Sequence, residues 1–229
     1  MNENLTEIVF ILDRSGSMGG LESDTIGGFN SMLSKQKKED GEAIVSTVLF
    51  SDDSKVLHDR KEIGSIRPLT EDDYYVGGCT ALLDALGEAI HHIGNVHKYA
   101  REEDRPAKTL FIITTDGLEN ASHRYSYKEI KKMIERQKEK YHWEFLFLGA
   151  NIDAIEVADR MGIARSHAVN YNCDEEGTAL NYNVLSKAVS RVRACKSKEA
   201  CAVFAGGDWK EEIEADFASR GKDKRNTKR

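Results

Sequence analysis

Three short segments of the sequence carry oxygen donors beside glycines. Asp13-Arg14-Ser15-Gly16-Ser17-Met18-Gly19-Gly20 offers a carboxylate and two hydroxyls at alternate positions. Gly77-Gly78-Cys79-Thr80 sets a hydroxyl behind a glycine pair, and Thr114-Thr115-Asp116-Gly117-Leu118-Glu119-Asn120 supplies a second carboxylate. A hard divalent cation such as Mg2+ prefers oxygen ligands in near-octahedral geometry, and glycines let the backbone turn tightly around it. Each segment also has a plain local reading: Ser17 or Thr80 caps a helix, and Asp116-Gly117 makes a turn. Metal chemistry follows only if the fold brings all three together.

The elements that would do so are legible as patterns. Glu7–Leu12 (EIVFIL), Leu110–Thr114 (LFIIT) and Trp143–Leu148 (WEFLFL) are short, near-continuous apolar runs, as expected of strands buried on both faces of a parallel sheet. Leu83, Leu86, Ile90 and Ile93 fall at i, i+3, i+7 and i+10, and Ile130, Met133 and Ile134 recur likewise, which marks crossover helices between those strands. Ala43–Phe50 and Lys55–Ile63 read as an antiparallel hairpin, because Ser51-Asp52-Asp53-Ser54 is rich in turn formers and too short to hold a helix. Further on, Asp153–Met161 predicts a short helix, Ala168–Tyr171 a last strand and Thr178–Ala194 a long helix.

The whole is an α/β fold: a doubly wound, mostly parallel, six-stranded open sheet with one antiparallel edge strand and helices on both faces. In the common order 3-2-1-4-5-6, strands 1 and 4 are neighbours, and their C-terminal ends border the crevice where open α/β sheets bind ligands. Asp13 and Asp116 then face each other. Two like charges in one crevice are costly unless a cation neutralises them.

Composition narrows the alternatives. With 229 residues, 40% hydrophobic and 31% charged, the chain reads as a soluble globular protein. No apolar run approaches the ~18 to 20 residues that cross a bilayer, and Met1-Asn2-Glu3-Asn4 has no secretion-signal character, so a cytoplasmic location is expected. Cys79, Cys173, Cys195 and Cys201 form no Cys-x-x-Cys pair and are expected to be free thiols. No Gly-x-Gly-x-x-Gly follows the first strand and no Gly-Lys-Ser/Thr occurs, which argues against the common phosphate loops. A net charge of -6 argues against nucleic-acid binding.

Basic residues concentrate at the end: six of the 33 Lys and Arg fall in Arg220–Arg229, against one of the 39 Asp and Glu. The expected layout is a main domain over 5–194, an extension over 195–219 and a disordered basic tail over 220–229. Within the extension, Trp209, Ile213 and Phe217 repeat at i, i+4 and i+8, predicting an amphipathic helix over Asp208–Ser219. Cys195–Gly207 would connect it to the domain, with Ala202-Val203-Phe204 packed beneath.

Asp-x-Ser-x-Ser at 13 to 17, Thr80, and Asp116 in Thr-Asp-Gly together resemble the metal ion-dependent adhesion site of the von Willebrand factor A domain family. The resemblance covers about residues 5 to 194, with a cysteine at 79 where a glycine often precedes the Thr. It implies that Ser15, Ser17 and Thr80 give hydroxyl oxygens to Mg2+ or Mn2+, while Asp13 and Asp116 act directly or through water. It also implies binding rather than catalysis, with an Asp or Glu of a partner protein completing the coordination, and it is closer to cytosolic bacterial members than to adhesion receptors. Residues flanking the ligands, Arg14, Met18, Leu118 and Glu119, are then expected to form the rim. The alternative is a metal-assisted phosphate-ester hydrolase, since a bound metal can itself generate a nucleophile. An Asp-x-Asp after the first strand would have favoured an aspartyl-phosphate enzyme, but Ser15 holds that second position.

Overall fold

Strands that are apolar on both faces need cover on both sides, and the chain supplies it with helices. The computed structural model describes residues 1–196 and 202–226. Six strands, β1 (Asn2–Asp13), β2 (Glu42–Phe50), β3 (Ser54–Glu62), β4 (Pro106–Thr115), β5 (Glu144–Gly149) and β6 (Ala168–Asn170), form one sheet in the order β3-β2-β1-β4-β5-β6. All neighbours are parallel except β3, which pairs antiparallel with β2 across the tight turn expected of the hairpin. The predicted fold class and strand order are those of the structure.

The pleat sorts the side chains of β1 between two cores. Ile8, Phe10 and Leu12 join α1 (Glu22–Gln36) and α5 (Glu175–Ala194) through Phe29, Met32, Leu185 and Val189. Val9 and Ile11 join α2 (Leu82–Tyr99), α3 (Tyr127–Tyr141) and α4 (Ala154–Arg160) through Leu86, Ile90, Ile130, Ile134 and Val157. At about 1.5 to 3 kcal/mol per fully buried large side chain, these two layers hold the sheet.

Register decides which loops meet. Leu12 of β1 stands beside Thr114 of β4, and Asp13 beside Phe50 of β2, so the three strands end level with one another.

After α5 the backbone makes one helical turn, α6 (Ala202–Ala205), and a 3-10 turn at Asp208–Lys210 that leads into α7 (Glu211–Asn226). The helix expected over Asp208–Ser219 is therefore present and continues into the basic stretch that was expected to be disordered. Phe204, Trp209 and Ile213 are buried in the core beneath α5, and the Trp209 indole N–H donates to the Ser166 carbonyl at 2.8 Å. Phe217, the third residue of the predicted stripe, stays partly exposed at 39%. Arg220 forms ion pairs with Asp174 (2.7 Å) and Asp216 (2.5 Å), which ties the helix to the loop before α5. Cys201, the middle of the proposed connector and residues 227–229 lie outside the described residues.

Candidate metal centre

Where β1 ends, the chain turns through a single 3-10 turn, Gly16–Met18, and main-chain bonds lace it to its neighbours. The Arg14 N–H donates to the Phe50 carbonyl (2.8 Å), Gly16 N–H to Gly78 O (3.0 Å), and Gly77 N–H to Arg14 O (2.9 Å). The Ala81 N–H reaches Ser51 O (2.8 Å), and Thr80 and Asn120 exchange two bonds, Asn120 N–H to Thr80 O (3.1 Å) and Thr80 N–H to Asn120 Oδ1 (2.9 Å). The segments after β1, before α2 and after β4 are thus fixed to one another without help from the side chains of the candidate ligands. Gly78 is indispensable here: its φ is +78°, and a Cβ would stand 2.0 Å from an Asp52 carboxylate oxygen that helps hold the loop.

On that frame the five predicted residues converge. The Ser17 hydroxyl donates to Asp116 Oδ1 at 2.5 Å and lies 3.1 Å from the Ser15 hydroxyl. Asp13 accepts from the Ser15 N–H (2.7 Å) and from the Thr115 hydroxyl (2.5 Å). Ser17 Oγ and Thr80 Oγ1 stand 3.2 and 3.4 Å from where a Cβ on Gly117 would be, so this glycine keeps the space between them open.

Asp13 and Asp116 are 1% and 2% exposed, and no Lys, Arg or His among the described residues forms an ion pair with either. Burial pushes both carboxyls above their ordinary range, against the pull of their hydroxyl and N–H donors. The charge of Asp116 raises Asp13 further. Two buried carboxylates with no countercharge, set among hydroxyls, are a donor set for a hard divalent cation. Among the described residues no three His, Cys, Asp or Glu side chains cluster as metal ligands. This group relies on hydroxyls instead.

Four contributors were not visible as such in the sequence. Thr115, adjacent to the recognised Asp116, bonds Asp13, and its alternation along β4 was the available signal. The Tyr74 hydroxyl donates to the Asp13 carbonyl at 2.5 Å, Asp52 supports Gly78, and the Cys173 thiol lies 3.7 Å from Asp116 Oδ2. Burial and the Asp116 charge push that thiol up to about 12. No local pattern announces these three, which arrive from remote loops.

The expected rim needs correction. Arg14 is buried, paired with Asp53 at 3.0 Å and stacked over Tyr75, and Met18 is buried as well. Glu119 turns inward, where its carboxylate accepts from the N–H groups of Leu83, Ala121 and Ser122. The first of these caps α2, whose own N-cap residue Ala81 has no side chain able to do so. Of the four, Leu118 alone is openly exposed, at 60%.

No family model matches the sequence, and a search of curated proteins finds no similar one. Solved structures do match. Proximal thread matrix protein 1 from the mussel byssus, with a zinc-occupied MIDAS motif, is 14% identical with a TM-score of 0.56 over 81% of this chain and 46% of that one. A von Willebrand factor type A protein from Catenulispora acidiphila is 13% identical, with a TM-score of 0.53 over 82% and 43%. The manganese-loaded TRAP protein of Plasmodium vivax is 17% identical, with a TM-score of 0.53 over 79% and 73%. The chain thus spans less than half the length of the first two. At these identities the likeness shows the fold, which is of the von Willebrand factor A type.

Proposed function

We propose that the chain is a divalent-cation-dependent protein-interaction module rather than an enzyme. Asp13, Ser15, Ser17, Thr80 and Asp116 hold Mg2+ or Mn2+, and an Asp or Glu of a partner protein completes the coordination. The observation that carries this reading is the pair of buried carboxylates without a countercharge at the level ends of β1 and β4. A bound ion supplies the missing positive charge and a coordination position open to an acidic ligand. Support also comes from the zinc-occupied and manganese-loaded structures of two proteins of the same fold.

The surrounding residues favour binding over turnover. Thr115, Tyr74 and the laced loops position Asp13 before any ligand arrives, so little ordering is required on binding. Both thiols near the site, Cys79 and Cys173, are pushed above the ordinary thiol range, by Asp52 and by burial respectively, which makes them poor nucleophiles. Leu118 provides the exposed apolar contact beside the site, and partner choice would be tuned there without loss of the metal. No described helix is long and apolar enough to cross a membrane, and a cytoplasmic setting is part of the proposal.

Calorimetric titration with MgCl2 and MnCl2 tests the site: saturable binding is expected in the parent chain and none in Asp116→Ala. Affinity capture in Mg2+ and in EDTA tests the partner, since retention undiminished by EDTA would mean that any metal is structural. Turnover of a generic phosphate ester with Mg2+, lost in Asp116→Ala, would favour the hydrolase alternative.

A further inference from the structure

At the end of the sheet away from the metal loops, a groove of about 520 Å3 opens between α2 and α3. Its place follows from the chain: Trp143 immediately precedes β5 and Arg105 immediately precedes β4, whereas Asp13 and Asp116 sit at the opposite strand ends. Trp143, buried and stacked on Phe111, forms part of the floor, Tyr125 and Tyr141 stand at the two ends of α3 along the groove, and Lys98, Arg105 and Arg136 contribute three cations. The volume is in the range of about 300 to 1,000 Å3 typical of small-molecule sites.

The charge of the groove is out of keeping with the chain. Among the described residues no Asp or Glu lines it, although the sequence holds 39 of them against 33 Lys and Arg. Lys98, Arg105 and Arg136 form no ion pair among the described residues. The nearby buried carboxylate, Glu7, lies behind His97 and is engaged by it and by Arg60. Two polar atoms of lining residues, Arg105 Nε and Gln137 Oε1, are buried without a partner. Of the two, the Arg105 Nε–H is a donor that a ligand oxygen would satisfy, whereas Gln137 Oε1 is an acceptor.

We infer that this groove is a second binding site, for a small aromatic phosphate of the nucleoside monophosphate type. Its ring lies against Tyr141, the 47% exposed tyrosine at the C-terminal end of α3, and its phosphate among Lys98, Arg105 and Arg136. A phosphate suits three cations because it carries about two negative charges and three strong acceptor oxygens. Aromatic side chains are tolerant stacking platforms for a base. The site is independent of the metal reading.

Calorimetric titration of the full chain with AMP, adenosine and inorganic phosphate tests it. AMP is expected to bind, with adenosine and inorganic phosphate each about tenfold weaker or worse. Arg105→Gln and Arg136→Gln should each weaken AMP about tenfold. Gly94→Leu should abolish binding by filling the groove, because a Cβ at 94 faces Gln137 and Trp143 at 3.4 and 4.0 Å. Asp116→Ala and EDTA should leave AMP binding unchanged, which separates this site from the metal centre. Absence of saturable AMP heat, inorganic phosphate binding as tightly as AMP, or affinity unaltered in all three groove variants would each overturn the proposal.

Discussion

Glu7 and Asp13 lie on the same strand, six residues apart, at 0% and 1% exposure, and the fold treats them in opposite ways. Glu7 is held by Arg60 at 2.7 Å and by His97 at 2.5 Å. Arg60 even adopts a φ of +47° within an irregular stretch of the β2–β3 pairing. Asp13 has hydroxyls, an N–H and a second carboxylate nearby, but no cation. An ionised group removed from water without compensation loses several kcal/mol; one end of β1 is compensated within the chain, and at the other the proposed cation would supply the compensation. Another buried carboxylate, Asp84, shows a third solution: it accepts backbone N–H bonds from His123, Arg124 and Tyr125, each at 2.9 Å.

The sharpest way to break this comparison is to remove the two β1 charges separately. Glu7→Ala leaves Arg60 and His97 facing an empty site and should cost about 3 to 5 kcal/mol in urea unfolding. Asp13→Asn keeps the shape, removes an uncompensated charge and should leave metal-free stability unchanged or raised. Equal losses in the two variants would show that Asp13 is as well compensated as Glu7.

Metal addition should reverse the ranking at the open end. Mg2+ at about 100 times its Kd should stabilise the parent by about 2.7 kcal/mol, because it binds the native state alone. The gain should vanish in Asp13→Ala and Asp116→Ala and survive in variants of the Asp84 network. An identical Mg2+ response in all of them would remove the site from these loops.

Asp84 offers a smaller effect with a defined pH sign. Burial raises its pKa, but the three backbone N–H groups and the Arg124 charge outweigh that and hold it below the ordinary carboxylate range. A folded value below the unfolded one means that the contribution is complete above about pH 4 and is lost as pH falls through the folded value. Asp84→Asn should therefore cost on the order of 1.5 kcal/mol near neutrality. Its unfolding curve should approach the parent's on acidification, and a constant gap across the acid range would contradict the assignment.

The smallest effect concerns the link between α7 and the metal end. Asp216 accepts from the Asn172 amide at 2.9 Å and pairs with Arg220, so α7 grips both sides of Cys173, the residue that touches Asp116. Asp216→Ala should lower stability by about 0.5 to 1 kcal/mol, the scale of a partly exposed ion pair. Mg2+ affinity, read by the same calorimetry, should shift by only a few-fold. A complete loss of Mg2+ binding would mean that α7 is part of the site.

The strands, the hairpin and the crossover helices were legible because each is a local signal, and the five candidate oxygen donors likewise stand in short local motifs. Continuous apolar runs such as LFIIT mark two-sided burial, Trp209 and Ile213 mark one helix face, and Asp-x-Ser-x-Ser places its donors within one turn of chain. The sheet order is the common doubly wound one expected from the alternation of strands and helices. Other features existed only once distant segments met. That Glu119 caps α2, that Arg14 and Met18 face inward, and that Tyr74 and Cys173 reach the site depend on loops whose paths are set by their packing partners rather than their own residues. The same holds for Glu7 and Asp13. Each is a carboxylate on an apolar strand, and which one acquired the Arg60 guanidinium and the His97 imidazole was decided by β3 and α2 crossing one end of β1 and not the other, a choice that no spacing within β1 encodes.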